Sequence, residues 1–106
     1  MKKILFVCNS NLNRSPTAEE IFKNDKKISV KSAGFWKGSK NVLTEKLLEW
    51  ADIIFVMERE QKEEIEKRFP KQFRSKLIIS LEIPDVYDFM DLELINLIKE
   101  RTKSYF

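Results

Sequence analysis

The feature that most constrains the fold is an alternation of short apolar runs with segments of helical character. The predicted strands are residues 3–7, 27–34, 51–58 and 76–83; the second alternates apolar with polar residues and ends at Gly34, and the other three are largely apolar. Helical signals begin at Ser15 and Pro16, and then cover residues 43–50, 59–69 and 91–106. Strands that alternate with helices in this way predict βαβ units and a parallel sheet with right-handed crossovers. In open sheets of this kind, ligands bind beyond the carboxyl ends of the strands.

Local signals define where the first and last helices begin. Ser15 is a good N-cap and Pro16 suits the first helical position. Glu19 and Glu20 follow in the early turns, where the helix dipole favours acids. Asp91 precedes an amphipathic run and is expected to cap the last helix.

The two middle helices carry their own patterns. In the first of them an inward apolar stripe is formed by Leu43, Leu47 and Trp50. The second is polar and is expected to stop at Pro70. Its charges are spaced for two i,i+4 ion pairs, Glu63 with Lys67 and Glu64 with Arg68.

Composition places the chain among ordinary globular proteins. Its 106 residues predict one domain, residues 1–106, and 42% apolar with 35% charged residues excludes a disordered tail. No apolar segment approaches the roughly 18 residues of a membrane span, and the start "MKKILFV" is too short for a signal peptide. We therefore expect a cytoplasmic protein with no membrane partner. One cysteine cannot form an internal disulfide, which fits a reducing compartment.

Charge and the absence of histidine narrow the chemistry. The net charge of +3 mildly favours anionic partners. Because the basic residues are mixed with nearly as many acids, the pattern favours a solvated surface over a nucleic-acid site, although it leaves nucleic acid open as a partner. With no histidine, a Cys-His or Ser-His catalytic pair is impossible, as is a zinc site that uses imidazole.

The only cysteine, Cys8, directly follows the first apolar run, at the edge where ligands bind. The loop behind it, residues 9–14, is called the cysteine loop below; because it leads into a helix N-terminus, its amides can form an anion-binding nest. A thiol in such a place ionises readily, and the thiolate is the nucleophile. Arg14 can bind a tetrahedral anion through two parallel hydrogen bonds, and Ser15 is close enough in sequence to donate its hydroxyl to the sulfur.

Each of these residues also has an ordinary explanation. A lone cysteine after an apolar strand is usually an inert core residue, an arginine is usually a surface charge, and a serine before proline is usually an N-cap. The combined spacing favours chemistry: Cys8, five residues, Arg14 and Ser15 lie between a buried strand and a proline-started helix. This spacing predicts a thiolate nucleophile beside a phosphate cradle.

A loop that turns this tightly needs residues with positive φ, and the cysteine loop contains no glycine. The residue types next best suited to that conformation are asparagines, and the loop has three, Asn9, Asn11 and Asn13.

The segment "FVCNSNLNRSPTAEEIF" (6–22) resembles the N-terminal signature of the low-molecular-weight protein tyrosine phosphatases, with its C-x5-R-S loop and following P-x-A-E. Three later segments resemble the family's in the same order, "SAG" (32–34), "ADIIFVMER" (51–59) and "IPDVYDF" (83–89). The resemblance covers most of the chain. It implies an α/β three-layer sandwich, in which a four-stranded parallel sheet of order 2-1-3-4 has helices on both faces.

The resemblance also implies roles for individual residues. Cys8 would be the nucleophile, Arg14 the phosphate ligand, Ser15 the partner of the thiolate, Asn11 the residue that shapes the loop and Asp85 the general acid. The remaining members of the implied phosphate-binding loop are Asn9, Ser10, Leu12 and Asn13.

The chain departs from the family pattern in two regions. It is shorter than ordinary members between "SAG" and "ADIIF", a region that shapes the substrate rim; Trp36 either supplies an aromatic wall there or only covers the edge of the core. In the cysteine loop, Ser10 stands where glycine is common, and Asn13 replaces a second cysteine that many members carry. Without that second thiol, protection of Cys8 by a neighbouring disulfide is unavailable, and a cysteine-relay arsenate reductase is disfavoured.

Three aspartates are candidates for the general acid. The family's Asp-Pro is here Asp85-Val86, with Tyr87 keeping the aromatic position as a second rim residue. Pro84 should stiffen the backbone before Asp85, which we rank first. Asp88 and Asp91 lie close by, and Asp91 is more economically explained as an N-cap.

The predicted activity is therefore hydrolysis of a phosphate monoester through a cysteinyl-phosphate intermediate, with no metal and no cofactor. The predicted partners are a phosphorylated protein or peptide, or another phosphate monoester, and inorganic phosphate or a similar oxyanion. Phosphotyrosine is the leading substrate. The alternatives are a nucleotide or RNA phosphatase that uses the same loop, and a non-catalytic phosphate-binding module.

Overall fold

A computed structural model describes all residues, 1–106, and contains one parallel four-stranded sheet. The strands are β1 (Lys2–Cys8), β2 (Ile28–Gly34), β3 (Ile53–Val56) and β4 (Leu77–Ser80), in the order β2-β1-β3-β4. The helices are α1 (Arg14–Phe22), α2 (Glu45–Trp50), α3 (Arg59–Arg68), α4 (Pro70–Ser75) and α5 (Leu92–Thr102), and a 3-10 turn follows at Lys103–Tyr105. The predicted sheet, its parallel strands and its order are confirmed.

The core lies on both faces of the sheet, as the predicted three-layer architecture requires. Alternate residues of β1 face opposite sides: Phe6 packs in the cluster that includes residues of α1 and α5, and Val7 packs in the cluster that includes residues of α2 and α3. Burial of such side chains stabilises the fold by about 1.5–3 kcal/mol each. A strand covered on both faces has no polar side, which explains the unbroken apolar run of β1.

The first helix begins earlier than predicted. It starts at Arg14 with Asn13 as its N-cap, so Ser15 and Pro16 lie inside the first turn rather than at its border. The prediction that Ser15 caps the helix is wrong because its hydroxyl contacts the sulfur of Cys8 instead.

The middle helices differ from prediction in two respects. In α2, Thr44 is the N-cap and accepts a hydrogen bond from the Leu47 amide, while Leu48 is the buried residue; Leu47 and Trp50 are only half-buried. Pro70 ends α3 as expected, but it also opens α4, which was not predicted, because proline fits the first turn of a helix.

Capping at the end of the chain follows the prediction. The Asp91 carboxylate accepts hydrogen bonds from the amides of Glu93 and Leu94 and so caps α5. Of the two ion pairs expected in α3, the one between Glu64 and Arg68 forms at 3.7 Å, and the other does not. No helix combines the length and the apolar character that crossing a bilayer requires.

Candidate active site

Cys8 ends β1, and its side chain is almost fully buried, at 2% exposure, where the cysteine loop begins. The sulfur lies 3.0 Å from Ser15 Oγ and accepts a hydrogen bond from the Asn11 amide over 3.3 Å. Both groups stabilise negative charge on sulfur, because each presents a polar hydrogen to it. A thiolate in this position is held from two sides by the loop that follows it.

Asn11 holds the loop in shape. It has φ of 57° and is the one residue of the loop in the left-handed region, so of the three candidate asparagines only Asn11 adopts this conformation. Its side-chain amide donates to Ser15 Oγ over 2.8 Å and to Ser32 Oγ over 3.1 Å, and its Oδ1 accepts from the Asn41 amide over 3.2 Å. Because the Asn11 amide group donates to Ser15 Oγ, the serine proton is left for an acceptor, and its two acceptors are the sulfur at 3.0 Å and the Ala33 carbonyl at 3.4 Å.

The hydrogen-bond chain continues to α1 through two residues that the sequence reading did not assign. Ser32 Oγ accepts from Asn11 and donates to Glu19 Oε1 over 2.5 Å. Ser32 is buried and Glu19 is half-buried. The sequence features that could have identified them are the segments in which they lie, "SAG" for Ser32 and "PTAEE" for Glu19.

Backbone amides of the loop remain free of protein partners. The amides of residues 9, 10 and 12–15 donate to no protein acceptor, whereas Asn11 donates to the sulfur. Unpaired amides at a helix N-terminus favour an anion, because the hydrogens and the helix dipole act together. The loop therefore has the donors that an oxyanion site requires.

Arg14 is buried, at 1% exposure, and is anchored by one end of its guanidinium. Its Nη1 donates to Glu58 Oε1 over 2.6 Å and to the Ile83 carbonyl over 2.8 Å. The hydrogens on Nε and Nη2 stay available, and they form the edge that binds an oxyanion in a bidentate manner. Glu58 compensates the buried cation, and it was missed because an acid that opens a helix is usually a capping residue.

Gln61 joins this anchor to the cysteine loop. It is buried, and its Oε1 accepts from the amides of Met57 and Glu58 over 2.7 and 3.0 Å. Its Nε2 donates to Asn9 Oδ1 over 3.2 Å. The turn that carries Glu58 is thereby fixed to the loop that carries the free amides.

Asp85 is the only one of the three acid candidates in contact with Arg14. Its Oδ1 lies 3.7 Å from Arg14 Nε, and its side chain is 54% exposed. Asp88 is exposed, and Asp91 caps α5. A carboxyl group that is both exposed and beside the arginine can exchange protons with a bound ligand.

Two grooves flank the cysteine loop. One, of about 570 Å³, is lined by residues that include Trp36 and Glu58. The other, of about 610 Å³, is lined by residues that include Leu12 and Phe89. Trp36, Leu12 and Phe89 are each more than half exposed, so apolar surface is available on both sides of the loop.

Tyr87 lines neither groove and packs half-buried against the core. Desolvation and the nearby carboxylate of Glu93 raise the pKa of its phenol. The hydroxyl therefore stays protonated at neutral pH. The predicted rim role of Tyr87 has no support from this position.

Gly34 allows the segment after β2 to approach the loop. A Cβ at this position would lie 2.3 Å from Ser39 Oγ and 2.9 Å from the Asn11 amide nitrogen. The amide of Trp36 donates to the Asn9 carbonyl over 2.9 Å. Close backbone packing thus brings Trp36 beside the cysteine loop.

A family profile described as "Low molecular weight phosphotyrosine protein phosphatase" matches residues 3–43. This span includes β1, the cysteine loop and α1, and it ends before α2. A search of curated proteins finds no match.

Solved structures extend the likeness over nearly the whole chain. SP-PTP, a low-molecular-weight protein tyrosine phosphatase from Streptococcus pyogenes, is 19% identical with a TM-score of 0.81, covering 99% of this chain and 91% of its own. The tyrosine phosphatase Wzb from Escherichia coli K30, in complex with sulphate, is 22% identical with a TM-score of 0.79, covering 98% and 95%. A mutant YwlE arginine phosphatase with a phosphorylated active-site serine is 26% identical with a TM-score of 0.71, covering 96% and 94%.

Proposed function

We propose that this chain is a phosphate monoester hydrolase of the low-molecular-weight phosphotyrosine protein phosphatase type, and that Cys8, Arg14 and Asp85 carry out the hydrolysis. The observation that carries this assignment is the convergence of three groups at one loop. The Cys8 sulfur has hydrogen-bond donors on two sides, Arg14 is anchored with a free donor edge, and Asp85 lies beside that edge.

In the first step the Cys8 thiolate attacks phosphorus in line with the leaving oxygen. The sulfur–phosphorus bond forms as the phosphorus–oxygen bond breaks, and the Asp85 carboxyl group gives its proton to the leaving oxygen. Arg14 and the free loop amides hold the equatorial oxygens, where charge resides in the transition state.

In the second step water attacks the phosphorus of the cysteinyl phosphate. The Asp85 carboxylate takes a proton from that water, the sulfur–phosphorus bond breaks, and inorganic phosphate leaves. The thiolate returns to its position between the Asn11 amide and Ser15, so these two donors serve as the resting site of the leaving sulfur.

We propose phosphotyrosine in proteins or peptides as the substrate. Leu12, Phe89 and Trp36 offer apolar surface on both sides of the loop, which suits an aromatic ring carrying the phosphate. One related structure is named as an arginine phosphatase, so phosphoarginine is a competing substrate class. A reduced thiol is required for attack, which fits the cytoplasm as the proposed location.

A substrate panel tests this proposal. One peptide sequence carrying phosphotyrosine, phosphoserine or phosphoarginine is compared with a nucleoside monophosphate, all with EDTA present. We expect kcat/KM for the phosphotyrosine peptide to exceed the others by about 10²-fold. A preference for phosphoarginine or for the nucleotide would overturn the proposal that phosphotyrosine is the substrate. Binding of phosphate without turnover of any compound would indicate a binding module.

A further inference from the structure

One hydrogen bond connects the region of Asp85 to the helix that follows the cysteine loop. The backbone amide of Met90 donates to Thr17 Oγ1 over 2.8 Å, across 73 positions of sequence. Thr17 is fully buried, at 0% exposure, and lies three residues after Arg14 in α1. The same helix therefore carries the phosphate-binding arginine and an anchor for a distant segment.

Residues 84–90, called the Asp85 segment below, have few other backbone contacts. They contain no helix or strand. Their only other backbone hydrogen bond is a local turn, in which the Asp91 amide donates to the Asp88 carbonyl over 3.1 Å. The bond from Met90 to Thr17 is thus the one backbone hydrogen bond between this segment and another element.

Met90 itself is in an unfavourable conformation. Its φ is 62°, in the left-handed region that side-chain-bearing residues rarely adopt. Such a conformation persists only where surrounding contacts stabilise it. The Thr17 hydroxyl is the acceptor that satisfies the Met90 amide in this conformation.

We propose that Thr17 is a positioning residue for Asp85. By accepting the Met90 amide, it holds the Asp85 segment against α1, with the Asp85 carboxyl group beside Arg14. Because α1 begins at Arg14, one helix sets the position of both the phosphate ligand and the acid. This inference rests on the proposed function, since it takes Asp85 as the general acid.

Loss of the Thr17 hydroxyl leaves the Met90 amide without its partner, and the Asp85 segment shifts. The thiolate and Arg14 are unaffected, so the step that suffers is protonation of the leaving oxygen. Misplacement by about 1 Å can cost up to roughly 10²-fold in rate. The loss is larger for phenyl phosphate than for p-nitrophenyl phosphate, because p-nitrophenolate needs little help from an acid.

The test compares Thr17→Val, Thr17→Ser and the natural chain on these two substrates. We expect Thr17→Val to lower kcat/KM for phenyl phosphate by about 10-fold and for p-nitrophenyl phosphate by less than about 3-fold. Thr17→Ser retains the hydroxyl and should restore both values. If Thr17→Val does not fold, Thr17→Ala removes the same acceptor with a smaller side chain.

Thr102 offers a matched control. It is also fully buried, and its hydroxyl donates to the Ile98 carbonyl over 2.7 Å within α5. Thr102→Val removes one buried hydroxyl hydrogen bond without contact to the Asp85 segment. It should lower thermal stability while leaving the ratio of the two kcat/KM values unchanged.

The outcomes separate the inference from the proposed function. If Thr17→Val loses rate equally on both substrates, or loses none, the positioning role is overturned. If Asp85→Asn changes the ratio of the two kcat/KM values and Thr17→Val does not, Asp85 remains the general acid and only the positioning role of Thr17 is overturned. If the natural chain hydrolyses neither substrate, the proposed function fails.

Discussion

The cysteine loop and the Asp85 segment meet at Arg14, but they are held in different ways. The loop is linked by a chain of side-chain hydrogen bonds from the Cys8 sulfur to Glu19. The Asp85 segment is largely exposed and has one backbone hydrogen bond to another element. We conclude that the nucleophile is built into the fold, whereas the acid is attached to it by few contacts.

This difference makes distinct predictions for the two regions. Substitutions in the loop should reduce both activity and stability, because the same bonds serve both. Substitutions of the exposed acid should reduce activity in a way that depends on the leaving group and should change stability little. The four variants below are ordered by the size of the expected effect.

Among these four variants, Arg14→Lys should produce the largest loss of activity. Lysine cannot present two parallel donors to an oxyanion, and it leaves Glu58 and the Ile83 carbonyl without their guanidinium partner. We expect kcat/KM for p-nitrophenyl phosphate to fall by about 10²–10³-fold. Arg59→Lys, at an exposed position in α3, is the control. A loss below about threefold would contradict the assigned role of Arg14.

Asp85→Asn should lower kcat/KM for phenyl phosphate by about 10²-fold and for p-nitrophenyl phosphate much less. Its melting temperature should stay within about 4 °C of the natural chain, since an exposed contact at 3.7 Å contributes about 0.5 kcal/mol or less. Asp88→Asn is the matched control. An equal effect of both substitutions would show that the acid has been assigned to the wrong residue.

Asn11→Ala should combine a smaller loss of activity with a loss of stability. It removes three side-chain hydrogen bonds and places alanine at φ of 57°. We expect the free energy of unfolding to fall by about 2–3 kcal/mol and the rate by about 10-fold. Asn11→Gly tolerates the same backbone angle and should recover part of the stability. Chemical denaturation of the three proteins measures this, and full stability of Asn11→Ala would contradict the role of the network.

Asp91→Ala should affect stability alone. Loss of the two hydrogen bonds that cap α5 costs about 1 kcal/mol, which corresponds to roughly 4–8 °C in melting temperature. Activity towards both aryl phosphates should stay within about twofold. A selective loss on phenyl phosphate would instead return Asp91 to the list of acid candidates.

The sheet could be predicted because β1 and β3 are apolar on both faces, and a parallel sheet covered by helices buries such strands. Helix borders were less certain, because one residue can serve two purposes. Serine is a residue type that often caps helices, yet the Ser15 hydroxyl contacts the sulfur of Cys8 instead. Pro70 was identified correctly as the end of α3, but proline is equally suited to begin a helix, as it does in α4.

In the candidate site, sequence identified the residues on one contiguous motif better than their distant partners. Cys8 and Arg14 follow from the spacing of the loop. Glu58 lies between β3 and α3, Gln61 lies in the first turn of α3, and both reach the loop only because β3 pairs with β1. Three asparagines were equal candidates for positive φ. Only Asn11 has its side chain fully bonded in that conformation, which composition alone does not distinguish.

The most direct test of the role of Cys8 is p-nitrophenyl phosphate hydrolysis by the natural chain and by Cys8→Ser, with EDTA present and folding checked by circular dichroism. We predict turnover by the natural chain and a loss of more than about 10³-fold in Cys8→Ser, because serine at this position is not ionised at neutral pH. Turnover that survives in a folded Cys8→Ser variant would contradict the claim that the Cys8 thiolate is the nucleophile.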